Sequence, residues 1–425
     1  MAGGVRVQEV RCRGCANCIK TCPTEAMRVF TGCVHIISDL CIDCGECIRK
    51  CREKAIILNE DEWELLRSQK KLVLIADPCF YVQIGSYESP SLVKEALESD
   101  GMEDVLEYEA MAFDVAAYAI ARSIESEKVE RLPLISTYCP AVIRLIQINF
   151  PELTGRLVPV ESPLESSVAL WRDITLIAPC PAKMTLVRNP VGRELSTIAY
   201  TVSVRRVVHD ILAGSPKVSG EVLHKTNDRW LKWSITGGES RHVASFSHRP
   251  LRTVAVSGLR NTMDLLTELE LGRLGGVDYV ECRACDLGCI GGVGTHESRF
   301  LSRLRIDDMK MDWSISEEEM ARIISWYEKG IWQLEQAIEP KQRLPLSSDL
   351  SEAMAKLKDM NAIYAELPHI DCGSCGRPSC RAMAEDIVRE KGEMTDCIFK
   401  LRERILDLSK EISNLSGRVP HAFGS

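Results

Sequence analysis

Leu134–Val142 reads LISTYCPAV, a β-prone apolar run that ends on Cys139, with Tyr138 before the cysteine and Pro140 after it. The same ending recurs. DITLIAPC (Asp173–Cys180) closes an apolar run on Cys180, and VDYVECRAC (Val277–Cys285) closes another on Cys285, with Cys289 shortly after. With KLVLIADPC (Lys71–Cys79) and LRTVAVSG (Leu251–Gly258), these runs alternate with helical stretches such as Ser91–Ile124. Strands separated by helices predict an α/β domain with mostly parallel sheets. In open sheets of this kind, ligands gather outside the carboxyl ends of the strands. Cys139, Cys180, Cys285 and Cys289 are therefore candidates to line one pocket, despite their separation in sequence. The glycines of CDLGCIGGVG (Cys285–Gly294) suit a backbone that a cofactor approaches closely. A Cys–His protease would need one thiol with a paired histidine, and none of the 8 histidines stands in a recognisable frame.

The chain has 425 residues, enough for several domains, with ordinary apolar (45%) and charged (27%) fractions. A net charge of −8 and the lack of a basic stripe argue against nucleic acid as a partner. No apolar run reaches the 18 or more residues of a membrane span, and MAGGVRVQEVRC carries no signal-peptide core. Cysteine is the outlier: 19 of them, an odd number, gathered into C-x-x-C runs. Nothing directs the chain to an oxidising compartment, so the cysteines read as metal ligands in a reducing cytoplasm.

The strongest of these runs lies near the start. Cys12, Cys15, Cys18 and Cys22 follow C-x2-C-x2-C-x3-C-P, the bacterial run for [4Fe–4S] clusters. Cys41, Cys44, Cys47 and Cys51 repeat it with Arg52 in place of the proline. In such folds the fourth cysteine serves the other cluster, which gives the sets Cys12, Cys15, Cys18, Cys51 and Cys41, Cys44, Cys47, Cys22. Cys33, between the runs, reads as a small core residue. A third group, Cys372, Cys375, Cys380 and Cys397, lies on and after a glycine-rich loop. It looks like the small four-cysteine [4Fe–4S] domain of some electron-transport and corrinoid proteins, although one four-cysteine site also suits zinc. An N-cap serine, a helix and a proline stop lead into it from RLPLSSDLSEAMAKLKDMNAIYAELP (Arg343–Pro368).

Across residues 10–300 the chain resembles the [FeFe]-hydrogenase family. STYCPAV (Ser136–Val142) is similar to the family motif T-S-C-C-P-x-W, APCPAKM (Ala178–Met184) to M-P-C-x-A-K-K, and RACDLGCIGGVG (Arg283–Gly294) to M-A-C-x-G-G-C-x-x-G-G-G. VESPLESS (Val160–Ser167) and WSITGGES (Trp233–Ser240) match more weakly. The resemblance implies an H-cluster: a cubane on Cys139, Cys180, Cys285 and Cys289, bridged by Cys289 to a two-iron subcluster with CO and CN⁻ ligands. Lys183 would pair with a cyanide, and Pro78 and Cys79 would lie over the two-iron site. The implied reaction is H₂ ⇌ 2H⁺ + 2e⁻, with electrons passing through the ferredoxin cubanes and the C-terminal cluster as a further relay or redox output. Cys282 is extra and has no assigned role.

The departures shape the functional expectation. The family's proton-shuttling cysteine is Tyr138 here, a phenol with a higher ordinary pKa than a thiol. No acid follows Asp114 in DVAAYAIARS, Leu186 stands where an acid is expected, and the methionines that pack on the cluster are Ala178 and Arg283. Electron supply is intact while proton supply is not, which predicts slow turnover and a hydrogen or redox sensor. The alternatives are a non-catalytic electron-transfer subunit of a hydrogenase or oxidoreductase complex, and an iron–sulfur assembly factor.

Expected partners are a redox protein such as ferredoxin or a complex subunit, and the hydrogenase maturation proteins. Ile398, Leu401, Ile405, Leu408, Ile412 and Leu415 form an a/d pattern. It would serve a homodimer, a signalling partner or docking on the chain's own domain. The expected domains are a dicluster ferredoxin-like segment (1–60), the H-cluster-like domain (65–315), a helical connector (316–348), the four-cysteine domain (349–400) and a heptad-like helix (398–416).

Overall fold

Apolar runs without polar alternation make strands buried on both faces, as parallel sheets covered by helices require. Leu72–Ala76 and Ile174–Ala178 are buried along their whole length. The computed structural model describes residues 3–69, 72–84, 93, 97–98, 102–104, 106–169, 171–214, 228–309, 311–341 and 345–416. The chain divides into two compact units. One comprises Met1–Arg6, Ile42–Arg49 and Ile56–Lys341, and the other Val7–Cys41, Lys50–Ala55 and Gln342–Ser425. The expected ferredoxin segment is thus shared between them.

Among the described residues the strands of the N-terminal segment are β1 (Val5–Val7), β2 (Met27–Phe30), β3 (Cys33–Ile36) and β4 (Ile56–Leu58). The α/β segment contributes β5 (Leu72–Ala76), β6 (Met102–Asp104), β7 (Leu134–Ile135), β8 (Ile174–Ala178), β9 (Ile198–Ser203), β10 (Thr253–Ser257) and β11 (Tyr279–Arg283). They form a parallel four-stranded sheet, β6-β5-β8-β9, and a parallel three-stranded sheet, β10-β11-β7. β1 and β4 make a two-stranded sheet.

The helical stretch expected over Ser91–Ile124 is corrected. β6 interrupts it and pairs with β5: Val93, Leu97 and Glu98 before the strand are helical, and a second helix begins after it at Leu106 and runs to Ser126. The remainder of that stretch, residues 91–92, 94–96, 99–101 and 105, lies outside the described residues.

In the first unit, aromatic side chains fill the space beside the sheets: Phe113 packs edge-on against Tyr138 and Trp233, and Tyr81 against Trp230. Arg229 donates two hydrogen bonds to Asp114 at 2.8 and 2.9 Å, and His242 Nε2 lies 2.9 Å from the same carboxylate. Asp114, after which DVAAYAIARS carries no acid, is thereby locked into the core.

In the second unit, β2 and β3 form an antiparallel hairpin whose turn, Thr31–Gly32, has positive φ at both residues. That is the two-residue turn matched to strand twist. Helices Leu350–Glu366, Cys380–Val388 and Ile398–Ser416 follow. The first is capped by Asp349 and not by the serine expected from the sequence: Asp349 accepts from the Glu352 amide at 2.8 Å, while Ser347 Oγ donates to the Glu352 carboxylate. A small core of Met360, Leu367, Met383 and Ala384 surrounds Cys380 and Cys397.

Candidate functional site

Four strand ends from the two parallel sheets build the central site. β7 leads to Cys139 and the helix Pro140–Asn149, and β8 leads to Cys180 and the helix Pro181–Arg188. Each cysteine occupies the N-cap, with proline at the first helical position, where no backbone donor is needed. Both sulfurs therefore sit at helix ends that favour negative charge. After β11 the chain turns through Cys285 and Cys289, and β5 ends beside them at Asp77. A Cβ on Gly288 (φ +100) would stand 2.7 Å from the Ser234 carbonyl oxygen, and one on Gly292 would stand 2.3 Å from that of Pro179. Only glycine lets this loop close on the strand end that carries Cys180.

The four sulfurs lie within electrostatic reach of one another. Burial pushes Cys285 well above the usual thiol range, and Cys180, Cys139 and Cys289 add to the rise. Cys180 is pushed up to about 12, again chiefly by burial, with Lys183 opposing. A buried thiol set of this kind becomes comfortable when a metal cluster takes its protons. Arg283 Nε and Nη1, buried in the same site, have no hydrogen-bond partner. An anionic cubane with thiolate and sulfide acceptors fits these donors and these four ligands.

The space beside Cys289 is different. Lys183 forms a buried salt bridge with Asp77, and its Nζ lies 3.6 Å from the centroid of the Tyr138 ring. Tyr138 OH donates to Asp77 Oδ2 at 3.0 Å, and the Arg283 guanidinium carbon stands 4.5 Å from the same ring centroid. Arg283 in turn donates to Glu239 at 2.7 Å, which also accepts from Tyr279 OH at 2.6 Å and Ser136 Oγ at 2.8 Å. Tyr138 is 3% exposed.

Burial raises the Asp77 carboxyl, but Lys183 and hydrogen bonds from Cys79 together hold the group below the usual carboxylate range. Burial, then the Asp77 charge, pushes Tyr138 well above the usual phenol range. Cys79 is fully buried beside Asp77, whose carboxylate accepts its amide at 3.0 Å. Pro78, also buried, joins the two. These residues do not fit a two-iron subcluster. Its cyanide-pairing lysine already has a carboxylate partner and an aromatic cover, and the buried acids Asp77, Glu239 and Glu281 outnumber the cations Lys183 and Arg283.

The second ferredoxin loop belongs to this unit: Arg49 Nη2 donates to the Gly291 carbonyl at 2.7 Å, and Asp43 pairs with buried Arg144 at 3.0 Å. It carries Cys44 and Cys47. Cys12, Cys15, Cys18 and Cys22 of the first run, together with Cys41 and Cys51 of the second, belong to the second unit. The sequence repeat is also a backbone repeat. Gly14 and Ala16 have positive φ, as do their counterparts Asp43 and Gly45, and the Ala26 amide donates to Cys22 Sγ at 3.2 Å as Ala55 does to Cys51. Burial pushes Cys18 up to about 11, with Cys12 and Cys15 contributing. Cys33, expected in the core, is only half-buried, and its thiol donates to the Val34 carbonyl at 3.7 Å.

The C-terminal set converges outright. Cys372, Cys375, Cys380 and Cys397 line one small cavity with Gly373 and Met383. Asp371 accepts the Cys380 amide at 2.6 Å and Ser379 caps the helix behind it. A four-sulfur cavity beside a glycine turn fits a cubane. The following helix leaves its apolar stripe exposed, from Ile398 at 48% to Ile412 at 66%.

Three site residues escaped the sequence reading. Asp77 ends an otherwise apolar strand, and an acid in that position was the available signal. Glu239 follows the matched WSITGG segment. Glu109, which accepts from the Ala76 amide at 2.7 Å and Tyr81 OH at 2.9 Å, left no signal. Cys282 is buried on β11 near Cys139.

The family model for the iron only hydrogenase large subunit, C-terminal domain, matches residues 70–188 and 204–293. A 4Fe-4S dicluster domain matches 4–52, and an Fe-S cluster domain 367–399. An uncharacterised protein of Methanocaldococcus jannaschii is 35% identical over 68 residues, 15% of this chain and 30% of that protein. One component of the ion-translocating oxidoreductase complex of Methanosarcina acetivorans is 44% identical over 52 residues, 12% of this chain and 20% of that protein. The chain thus spans less than a third of the length of these curated relatives.

Among solved structures, a variant of [FeFe]-hydrogenase HydA1 from Chlamydomonas reinhardtii is 16% identical with a TM-score of 0.47, over 65% of this chain and 96% of that one. A HydA structure concerned with stepwise H-cluster assembly is also 16% identical with a TM-score of 0.47, over 67% and 97%. No described helix is long and apolar enough to cross a membrane. With the matched domains in chain order, the protein is an [FeFe]-hydrogenase-like iron–sulfur protein with an N-terminal ferredoxin module and a C-terminal Fe–S domain.

Proposed function

We propose that this protein moves single electrons among cubane clusters and that its central site holds a cubane without the two-iron half. The observation that carries this reading is the Asp77–Lys183 salt bridge under the Tyr138 ring. A lysine that is to hold an anionic ligand must have charge to offer, and Asp77 neutralises this one. Proton delivery points the same way. Tyr138 donates to a carboxylate that is itself buried, while Asp114 and Glu109 are fixed by core partners. These contacts support the electron-transfer alternative over the slow hydrogen conversion expected from the sequence.

A cubane bound to Cys139, Cys180, Cys285 and Cys289 would accept and release one electron at a time. Arg283 Nε–H and Nη1–H and the two helix N-termini at Cys139 and Cys180 would favour its reduced, more negative state. The loop bearing Cys44 and Cys47, held by Arg49, would supply the neighbouring cluster. The partner would be a one-electron carrier or a subunit of a redox complex.

The test is expression with hydrogenase maturation proteins, followed by infrared spectroscopy and iron analysis. No CO or CN⁻ bands and about 16 irons per chain are expected, against about 18 with a two-iron half. Bands of an assembled two-iron group would restore the hydrogenase reading, which the family match and the positions of Cys289 and Lys183 favour.

A further inference from the structure

We propose that the first ferredoxin cluster, on Cys12, Cys15, Cys18 and Cys51, and the C-terminal cluster form a direct electron-exchanging pair. Ligand positions from both sets line a single cleft of the second unit: Cys15 with Gly14 and Ala16 on one side, Cys375 with Gly373 and Ser374 on the other. The two loops meet through backbone. The Val29 amide donates to the Gly376 carbonyl at 2.7 Å, and a Cβ on Gly376 (φ +77) would lie 2.1 Å from the Val29 oxygen. A Cβ on Gly373 would stand 3.4 Å from Ile19 Cδ1, next to Cys18, and 3.3 Å from Lys20 Cε. The loops approach as closely as glycine permits.

A buried ion triad fixes this approach. Asp386 accepts from Arg28 of β2 at 2.9 Å and from Arg377 at 3.1 Å, and the Arg377 guanidinium carbon lies 5.1 Å from the Phe30 ring centroid. All three charged side chains are nearly buried, so the pair is held without a flexible link. Lys20 lies near Cys372, and Arg377 near Cys375. Lys20 favours added negative charge at the C-terminal cluster, while Arg377 is balanced by Asp386 and Asp396.

The step is a plain one-electron exchange. The reduced cluster loses one electron and its neighbour gains it, with no bond made or broken and no proton moved. A low-potential one-electron carrier would load the pair. The inference requires only the two cluster sets of this unit, whatever the central site contains.

The test is electron paramagnetic resonance of the full-length protein, reduced stepwise with dithionite. When both clusters are reduced, the first cluster's signal should be split or broadened by spin coupling, with faster relaxation than when it is reduced alone. In Cys380→Ala, which removes the C-terminal cluster, the part of that splitting owed to it should be lost, while the first cluster's own signal and any coupling to the second ferredoxin cluster survive. Should that variant fail to fold, Cys44→Ser, which removes a ligand of the second ferredoxin cluster, tests the same point, because the splitting should persist if the C-terminal cluster is its source. Two additive, uncoupled signals would overturn the pair, as would zinc in the C-terminal site.

Discussion

The central and C-terminal four-cysteine sites use the same ligand chemistry and differ in what stands beside the sulfurs. The C-terminal set lies within Cys372–Cys397, and its four sulfurs line a cavity. The central set draws its cysteines from three strand ends of two sheets, and beside Cys289 the chain has packed Asp77, Lys183, Tyr138 and Arg283. One site is shaped as a container. The other is a container with an ion-pair network in the part that the family reserves for a second metal group. The contrast separates two properties that the resemblance joins: the capacity to bind a cubane and the capacity for hydrogen chemistry.

The largest effect falls on the C-terminal side. Asp386→Leu leaves Arg28 and Arg377 buried without their carboxylate, and breaking a buried pair from one side costs about 3–5 kcal/mol. Urea unfolding followed by cluster absorbance should show early loss of the C-terminal cluster, with the central cluster retained. Simultaneous loss of both would mean that the two sites are not independently supported.

On the central side, Lys183→Met strands Asp77 and should cost about 3 kcal/mol, while the double variant Asp77→Leu/Lys183→Met should recover most of that loss. If the single change proves as harmless as the double, Lys183 is not committed to Asp77 and the case against cyanide binding falls. A gain-of-fit variant sharpens the point. Asp77→Ala/Tyr138→Cys/Arg283→Met frees Lys183, and with maturation proteins it should acquire CO and CN⁻ infrared bands that the unaltered chain is expected to lack.

The ferredoxin repeat and the C-terminal site were legible because local spacing determines them: a cubane wrapped by one loop leaves its mark on adjacent residues. The central cysteines were legible as strand ends, and their grouping through the resemblance. The network was not. Tyr138 stood out as a replaced relay residue, but its link to Asp77 depends on β5 and β7 ends that belong to different sheets. Arg283 reads as a replaced methionine until Glu239, 44 positions away, supplies its carboxylate. Long-range charge pairing of this kind has no periodicity in sequence. The N-cap at Asp349, misread as serine, is a smaller failure of the same sort, since several polar residues compete for one cap.

A pH scan separates the two regions further, because Glu161 lies in the central unit. Burial raises its pKa to about 7, with Glu165 and Glu335 adding to the rise and Arg193 opposing it. Below about pH 4.5 the group is protonated in both states and contributes no difference. As pH rises toward 7 the unfolded chain releases the proton while the folded chain keeps it, so stability declines, by on the order of 3 kcal/mol in total. Asp77, with its lowered pKa, has the opposite sign: its contribution is lost as pH falls below the usual carboxylate range. Glu161→Gln should therefore flatten the decline between pH 5 and 7 in denaturant titrations without changing cluster content. An unchanged slope would assign the pH dependence elsewhere.

The smallest effect concerns how each site holds its ligand helix. At Cys139 and Cys180 the ligand itself is the N-cap, and no side-chain oxygen caps the helix. At the C-terminal site the two roles are split: Ser379 Oγ accepts from the Ala382 amide at 3.0 Å, and Cys380 follows as the first helical residue. Ser379→Ala should thus cost about 1 kcal/mol, the usual worth of an N-cap, and leave Cys380 in place. The expected readout is a small drop in the unfolding midpoint of the second unit with full iron content. A variant that instead loses iron would show that the cap positions Cys380 for the cluster as well as stabilising the helix. The division of labour between cap and ligand would then be less complete than the geometry indicates.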